Sequence, residues 1–222
     1  MEKRCSMKYI TFTLLLFSTL WCSAQDTTRM WLHIGTSVNS YNGDLEGKKK
    51  YTSSFHIGLQ LNRKKRLNGN INIGAGTLNG EDRDFTFDSN QTPLPSPNKF
   101  FKTNFFYINY DLHYNIIKKR NLIVYISQGI GMIRFSPKDD EGNDLADLPE
   151  TRAEEETYRQ ESLMLPTNLG VIYLLPNQYG VSLQAGYYNT LTDYLDNIST
   201  LGDSADNDNA LAIRFAFFVP LQ

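Results

Sequence analysis

The side chains with chemistry to offer fall into three groups. His33, His56 and His113 recur with Asp111 and Arg214 on the polar side of alternating stretches. An imidazole can act as a general base when a hydroxyl and an orienting carboxylate stand beside it. No Ser–His–acid trio converges by spacing, so the histidines read as structural and the protein as a non-enzyme. Asp203, Asp206 and Asp208, beside Asn207 and Asn209, offer the hard oxygens that Ca2+ takes, but lack the loop spacing and closing Glu of an EF-hand. A solvated acidic loop is expected there, with no metal and no other cofactor. The third group is basic: Arg63, Lys64, Lys65 and Arg66, then Lys118, Lys119 and Arg120. Such clusters can dock a partner or anionic lipid headgroups, or simply keep a turn in water.

The elements that must position these groups are strands. In Tyr51–Thr77, Phe55, Ile57, Leu59 and Leu61 share one face and His56, Gly58, Gln60 and Asn62 the other. After the basic turn the alternation resumes, with Ile71, Ile73 and Ala75 opposite Asn68, Asn70 and Asn72. A period of two on both sides of a short turn is an antiparallel hairpin. Its polar face is Asn, Gly, Gln and His rather than Lys and Glu, which suits a narrow, mutually hydrogen-bonded interior. Strands of about ten residues with a continuous apolar face and charge confined to turns are what a membrane-spanning barrel needs. In lipid every backbone amide requires a partner, and only a closed sheet gives strands that.

The same pattern recurs along the chain. A first strand covers Trp31–Val38, followed by a loop over 40–50. Strand four is Phe105–Ile116, strand five Leu122–Phe135, strand six Leu163–Leu174, strand seven Tyr179–Asn189 and strand eight Ala210–Val219. Short turns at 63–66, 118–121 and 176–178 alternate with long loops at 40–50, 79–104, 136–162 and 190–209. The fold expected is an all-β, eight-stranded antiparallel up-and-down transmembrane barrel, with short periplasmic turns and long extracellular loops. Trp31, Tyr51, Phe105, Tyr107, Phe135, Tyr173 and Tyr187 lie near strand ends and are expected in interfacial girdles. Gly129 and Gly131 mark places where the wall must bend or relieve crowding. The 139–161 stretch sets ten acidic residues against Arg152 and Arg159 and reads as a solvated loop.

Residues 1–24 have a basic start (Lys3, Arg4, Lys8), an apolar run over Ile10–Leu20 and a small residue, Ala24, at the cleavage position. That is a secretory signal, which leaves 25–222 as the barrel domain. Both cysteines, Cys5 and Cys22, depart with it, so the mature chain has no disulfide and no thiol nucleophile. The net charge is −2 for the whole chain. No strongly basic face survives, so nucleic acid is not an expected partner; outer-membrane lipid is. An eight-stranded barrel is just wide enough for its own side chains. The inward set, which includes His33, His56, Asp111, His113 and Arg214, therefore reads as a packed polar plug. Asp111 should have Arg214 or a histidine within reach.

Four pieces of the chain resemble one family. They are Tyr41-Asn42-Gly43-Asp44-Leu45; Gly129-Ile130-Gly131 leading to Phe135-Ser136-Pro137; Leu165-Pro166 with Gly170-Val171 and Tyr173; and Thr192-Asp193-Tyr194-Leu195-Asp196-Asn197-Ile198-Ser199. Together they are similar to the PorG-like outer-membrane beta-barrels of Bacteroidota, associated with the type IX secretion system. Departures include Asn197 where that family tends to have Asp and Asn168 where it tends to have Gly. The resemblance implies a non-enzymatic outer-membrane component of a Gram-negative bacterium, with a periplasmic side that contacts secretion-machinery subunits. The contact candidates are then Arg63–Arg66, Lys118–Asn121 and Pro176–Gln178. The competing expectations are a stand-alone surface barrel whose acidic loops bind or shield, and a lipid-modifying enzyme.

Overall fold

The structure, a computed structural model, describes residues 30–47, 50–87, 94–202 and 207–221. The expected signal peptide lies outside these residues. Eight strands follow in chain order: β1 (Met30–Asn42), β2 (Tyr51–Leu61), β3 (Leu67–Glu81), β4 (Phe100–Lys118), β5 (Leu122–Lys138), β6 (Glu161–Leu174), β7 (Gly180–Thr190) and β8 (Asn209–Leu221). Each pairs antiparallel with its neighbours in sequence, and β8 closes back onto β1 from Met30↔Leu221 to Asn42↔Asn209. The closed up-and-down barrel is the architecture that the alternation requires. Among the described residues no helix is long and apolar enough to cross a membrane, so crossing falls to the strands.

Around the middle of the wall the alternation is strict. On β4, Phe106, Ile108, Tyr110, Leu112 and Tyr114 point out, while Tyr107, Asn109, Asp111, His113 and Asn115 are buried inside. The outward rows of β2, β3, β5 and β8 are apolar too, from Phe55 and Ile57 through Ile71, Ile73 and Ile130 to Ile213 and Phe215. A continuous apolar belt of this extent is a lipid-facing surface; a soluble protein would not leave it in water.

Near the long-loop rim the pattern inverts. Lys102, Asn104 and Arg134 now face out, while Phe101, Ile133 and Phe135 are buried. That inversion marks where the wall leaves the bilayer, and the strands continue past it. β3 runs on to Glu81 and β4 begins at Phe100 rather than Phe105. Tyr41 and Asn42 belong to β1 and not to the following loop.

Two further expectations are corrected. Trp31, Tyr107 and Phe135 sit inside the barrel, not in an interfacial girdle. Their parity places them on the inward row, where they fill the ends of the lumen; Phe105 is half-buried, whereas Tyr51, Tyr173 and Tyr187 do face outward. The 136–162 segment is only partly solvated. It forms two short 3-10 turns, Leu145–Asp147 and Pro149–Thr151, and buries Leu145 and Thr151.

Candidate functional site

Apart from one small chamber beneath the loop cap, the lumen is filled by side chains. Its middle is a hydrogen-bonded ladder: the His33 Nε2–H donates to Asn70 Oδ1 at 2.9 Å, Asn70 Nδ2 to Asn72 Oδ1 at 3.0 Å and Asn72 Nδ2 to Asp111 Oδ2 at 2.9 Å. Asn109 Nδ2 donates to the other Asp111 oxygen. Opposite, Tyr125 donates to Gln184 at 2.7 Å, Gln184 to Asn168 at 2.8 Å and Asn168 to Ser127 at 3.0 Å. Buried amides are costly unless paired, and these strands supply the partners at two-residue intervals.

The interior acid is placed much as the sequence suggests. His113 Nε2 lies 3.9 Å from Asp111 Oδ2, whereas Arg214 donates instead to the Tyr107 hydroxyl. His113 stacks on Tyr125 with ring centroids 4.5 Å apart, and His33 stacks on Phe218 at 4.8 Å. His113 and Ser127 are cross-strand partners, so serine, histidine and acid do come near one another. No hydrogen bond joins Ser127 to His113, all three are buried, and Ser127 is occupied by Asn168. The constellation lacks both the connection and the access that a nucleophile needs.

The outer mouth is closed by the loops themselves. Tyr41, at the top of β1, donates its hydroxyl to Asp196 Oδ2 at 2.9 Å and also meets Asp208 Oδ1. Asp208 Oδ2 accepts from the Leu195 amide at 2.8 Å, and Asp196 Oδ1 from the Ile198 amide at 2.8 Å. Gly43 is required beside this latch, because a Cβ there would stand 2.0 Å from both the Tyr41 hydroxyl and Asp208 Oδ1. Leu45, Leu195 and Ile198 are fully buried in one cluster with Phe101 and Phe135. Tyr41-Asn42-Gly43-Asp44-Leu45 and Asp193-Tyr194-Leu195-Asp196, far apart in sequence, thus form one cap. Asp44 lies against Gly202. Asp193 and Tyr194 are half-buried, and Tyr194 donates to Glu156 at 2.8 Å.

Other loops join the cap. Asn98 Nδ2 donates to the Asp196 carbonyl at 2.7 Å, Asn197 Nδ2 to Thr151 at 3.0 Å and Thr103 to the Leu195 carbonyl. Burial pushes the Asp196 and Asp208 carboxyls well above the ordinary carboxylate range, and for Asp208 the neighbouring Asp196 charge adds to it. A proton held on the pair lets one carboxyl donate while Tyr41 donates to the other. Glu156 goes the opposite way. Its partial burial raises it, but hydrogen bonds from Tyr194, Thr200 and Ala153 outweigh that and hold it below its usual value. The expectation of a solvated loop at Asp208 is therefore corrected: that side chain is buried. Asp203 and Asp206 lie outside the described residues. Among the described residues no group of three or more His, Cys, Asp or Glu side chains could hold a metal.

The periplasmic rim gathers the basic candidates. Arg63, Lys64, Lys118, Lys119 and Arg120 line one open cleft of about 800 Å3 together with Trp31, Tyr173, Pro176 and Gln178. The cleft is braced from below. Lys118 Nζ donates to the carbonyls of Arg63 at 2.7 Å and Lys65 at 2.9 Å. The Arg63 guanidinium stacks over Trp31 at 4.7 Å and donates to Gln178 of the β6–β7 turn. Asn62 and Gln178 adopt positive φ at the two turns, and the Asn115 amide donates to the Arg66 carbonyl at 2.9 Å. Lys65 and Arg66 are exposed beside the cleft rather than in it.

A closed eight-stranded barrel with a lipid-facing belt and a filled polar lumen defines an integral outer-membrane β-barrel protein. Residues 10–217 match the outer membrane protein beta-barrel domain family, and the chain belongs to it. Neisserial surface protein A superposes with a TM-score of 0.54 at 13% identity, over 86% of this chain and 96% of that one. Ail, the attachment invasion locus protein of Yersinia pestis, gives 0.46 at 11% identity over 85% and 95%. The outer membrane enzyme PagL gives 0.39 at 15% identity over 85% and 99%. No curated protein matches the sequence. At such identities the likeness is one of fold.

Proposed function

We propose that this protein is a non-catalytic barrel that anchors a periplasmic partner to the outer membrane, as an accessory subunit of protein secretion of the PorG-like kind. The observation that carries this reading is the basic cleft, where side chains from separate turns are held in one arrangement by Lys118, Arg63 and Gln178. Such bracing lowers the conformational cost of binding, and cations on a fixed frame select an acidic partner surface. The filled lumen and latched mouth support an anchor over a conduit. The buried, occupied Ser127 supports a non-enzyme over a hydrolase.

A second reading has its own support. Glu150, Glu154, Glu155 and Glu156 border an outer depression of about 770 Å3 with Pro95 and Thr200, which suits a surface-binding barrel. Single cysteines at Lys64 or Lys119, and a matched one at Glu155, separate the two by crosslinking in intact outer membranes. Adducts to a discrete periplasmic protein from the turn sites support the anchor. Adducts from Glu155 alone would replace it with the surface barrel.

A further inference from the structure

Between the polar ladder and the loop cap lies a small, partly enclosed chamber of about 30 Å3. Its sides are largely apolar, from Leu78, Phe105, Ile133 and Met164. Six buried polar side chains also line it: Asn39, Ser54, Tyr107, Tyr188, Thr190 and Arg214. Ser54, Tyr107 and Thr190 have hydrogen-bond partners, but Asn39 Nδ2, the Tyr188 hydroxyl and Arg214 Nε lack one. Asn39 Nδ2 and Arg214 Nε can only donate, and the Tyr188 hydroxyl can donate as well as accept. Unpartnered acceptors elsewhere in the lumen, such as those of Gln60, Asn68, Asn109, Asn115 and His33, belong to residues that do not line the chamber.

Charge points the same way. Arg214 donates to the Tyr107 hydroxyl and lies against two aromatic rings, 5.4 Å from the centroid of Tyr107 and 5.0 Å from that of Tyr188. Among the described residues no carboxylate forms an ion pair with it; the lumen carboxylate Asp111, engaged by Asn72 and Asn109, acts on it only at a distance. A guanidinium inside a membrane barrel is expensive without a counter-charge. A water molecule would satisfy donors but supply no charge, and its own hydrogens would meet mostly hydrocarbon. A single water needs roughly 10–15 Å3, so a chamber of about 30 Å3 has room for one small ion or for about two waters.

We propose that the chamber is a binding site for one small monovalent anion of halide size, held by Arg214, Asn39 and Tyr188 as a structural counter-ion. The ion enters as the barrel closes during folding and is then sealed in by the cap. The test uses the full barrel refolded from urea into detergent in sodium bromide, in sodium chloride or in sodium gluconate at equal ionic strength. Crystals from bromide should show an anomalous peak in the chamber. The halide-refolded protein should unfold a few degrees higher than the gluconate form, since a ligand bound only to the native state raises its stability. Tyr188→Phe and Asn39→Leu, each removing one donor, should weaken the peak and shrink the halide advantage. Arg214→Gln should abolish both, and if that variant does not fold, the wild-type comparison decides alone. A chamber with no anomalous peak, and equal unfolding in all three salts, would overturn the proposal. So would bromide found only at surface lysines.

Discussion

Tyr41 shows how much one hydroxyl can organise. Its hydroxyl lies within hydrogen-bond distance of both Asp196 and Asp208, so it ties loop to wall. Tyr41→Phe leaves buried carboxyl groups short of a donor, and we expect a loss of about 1–3 kcal/mol, read as a lower urea midpoint for the folded band on unheated gels. The raised carboxyl pKa values set a pH dependence. A folded-state value above the ordinary 3.8 means the folded form binds protons more tightly. That stabilisation is complete below the unfolded value and is lost as pH rises through the folded one. Hydrogen exchange at the amides of Leu195 and Ile198, corrected for intrinsic rate, should therefore speed up from pH 4 to 8, and Asp208→Asn should flatten the slope. Protection that rose with pH would refute the assignment. In the wall, Gly129→Ala places a Cβ 2.0 Å from Asp111 Oδ1 and 2.9 Å from the Tyr110 carbonyl. Folding yield should fall sharply, whereas Gly142→Ala, in open space, should lose only the cost of its positive φ.

At the scale of elements, the strands were legible where the bilayer dictates them. Apolar-out, polar-in alternation with period two is readable on β4 from Phe106 to Asn115 because lipid fixes one face and the narrow lumen the other. Beyond the rim the rule reverses, so Phe100–Asn104 and Asn79–Glu81 read as loop although they are strand. The cap was legible only as two motifs. Nothing in Tyr41–Leu45 or Thr192–Ser199 announces that they meet, since a contact across 155 residues leaves no periodic trace. Burial of Leu195 beneath those contacts makes the cap a packed element rather than a mobile loop. Leu195→Ala should cost about 2–5 kcal/mol and open the 192–202 segment to limited proteolysis, with the barrel itself still folded. Proteolysis unchanged from wild type would show that the segment is held by its hydrogen bonds alone.

For the whole molecule, charge and packing divide the labour between the two ends. The outer end is sealed by an apolar cluster and a carboxyl latch, and acids such as Glu154 and Glu155 remain on its surface. The lumen pairs many of its polar groups with one another and holds Arg214 between the ladder and the cap. The periplasmic end leaves braced cations around an open cleft. The sequence located those cations but not their convergence, because the turns that carry them become neighbours only through the pairing of β3 with β4, which neither turn records. The central claim, that the periplasmic rim is the binding end, is tested most directly by reversing its charge without touching the bracing residues. Lys64→Glu, Lys119→Glu and Arg120→Glu combined should leave insertion and heat-modifiability intact while crosslinking to the periplasmic partner falls at least tenfold; Glu154→Lys with Glu155→Lys should leave it unchanged. Partner capture that survives the first set and is lost with the second would contradict the account.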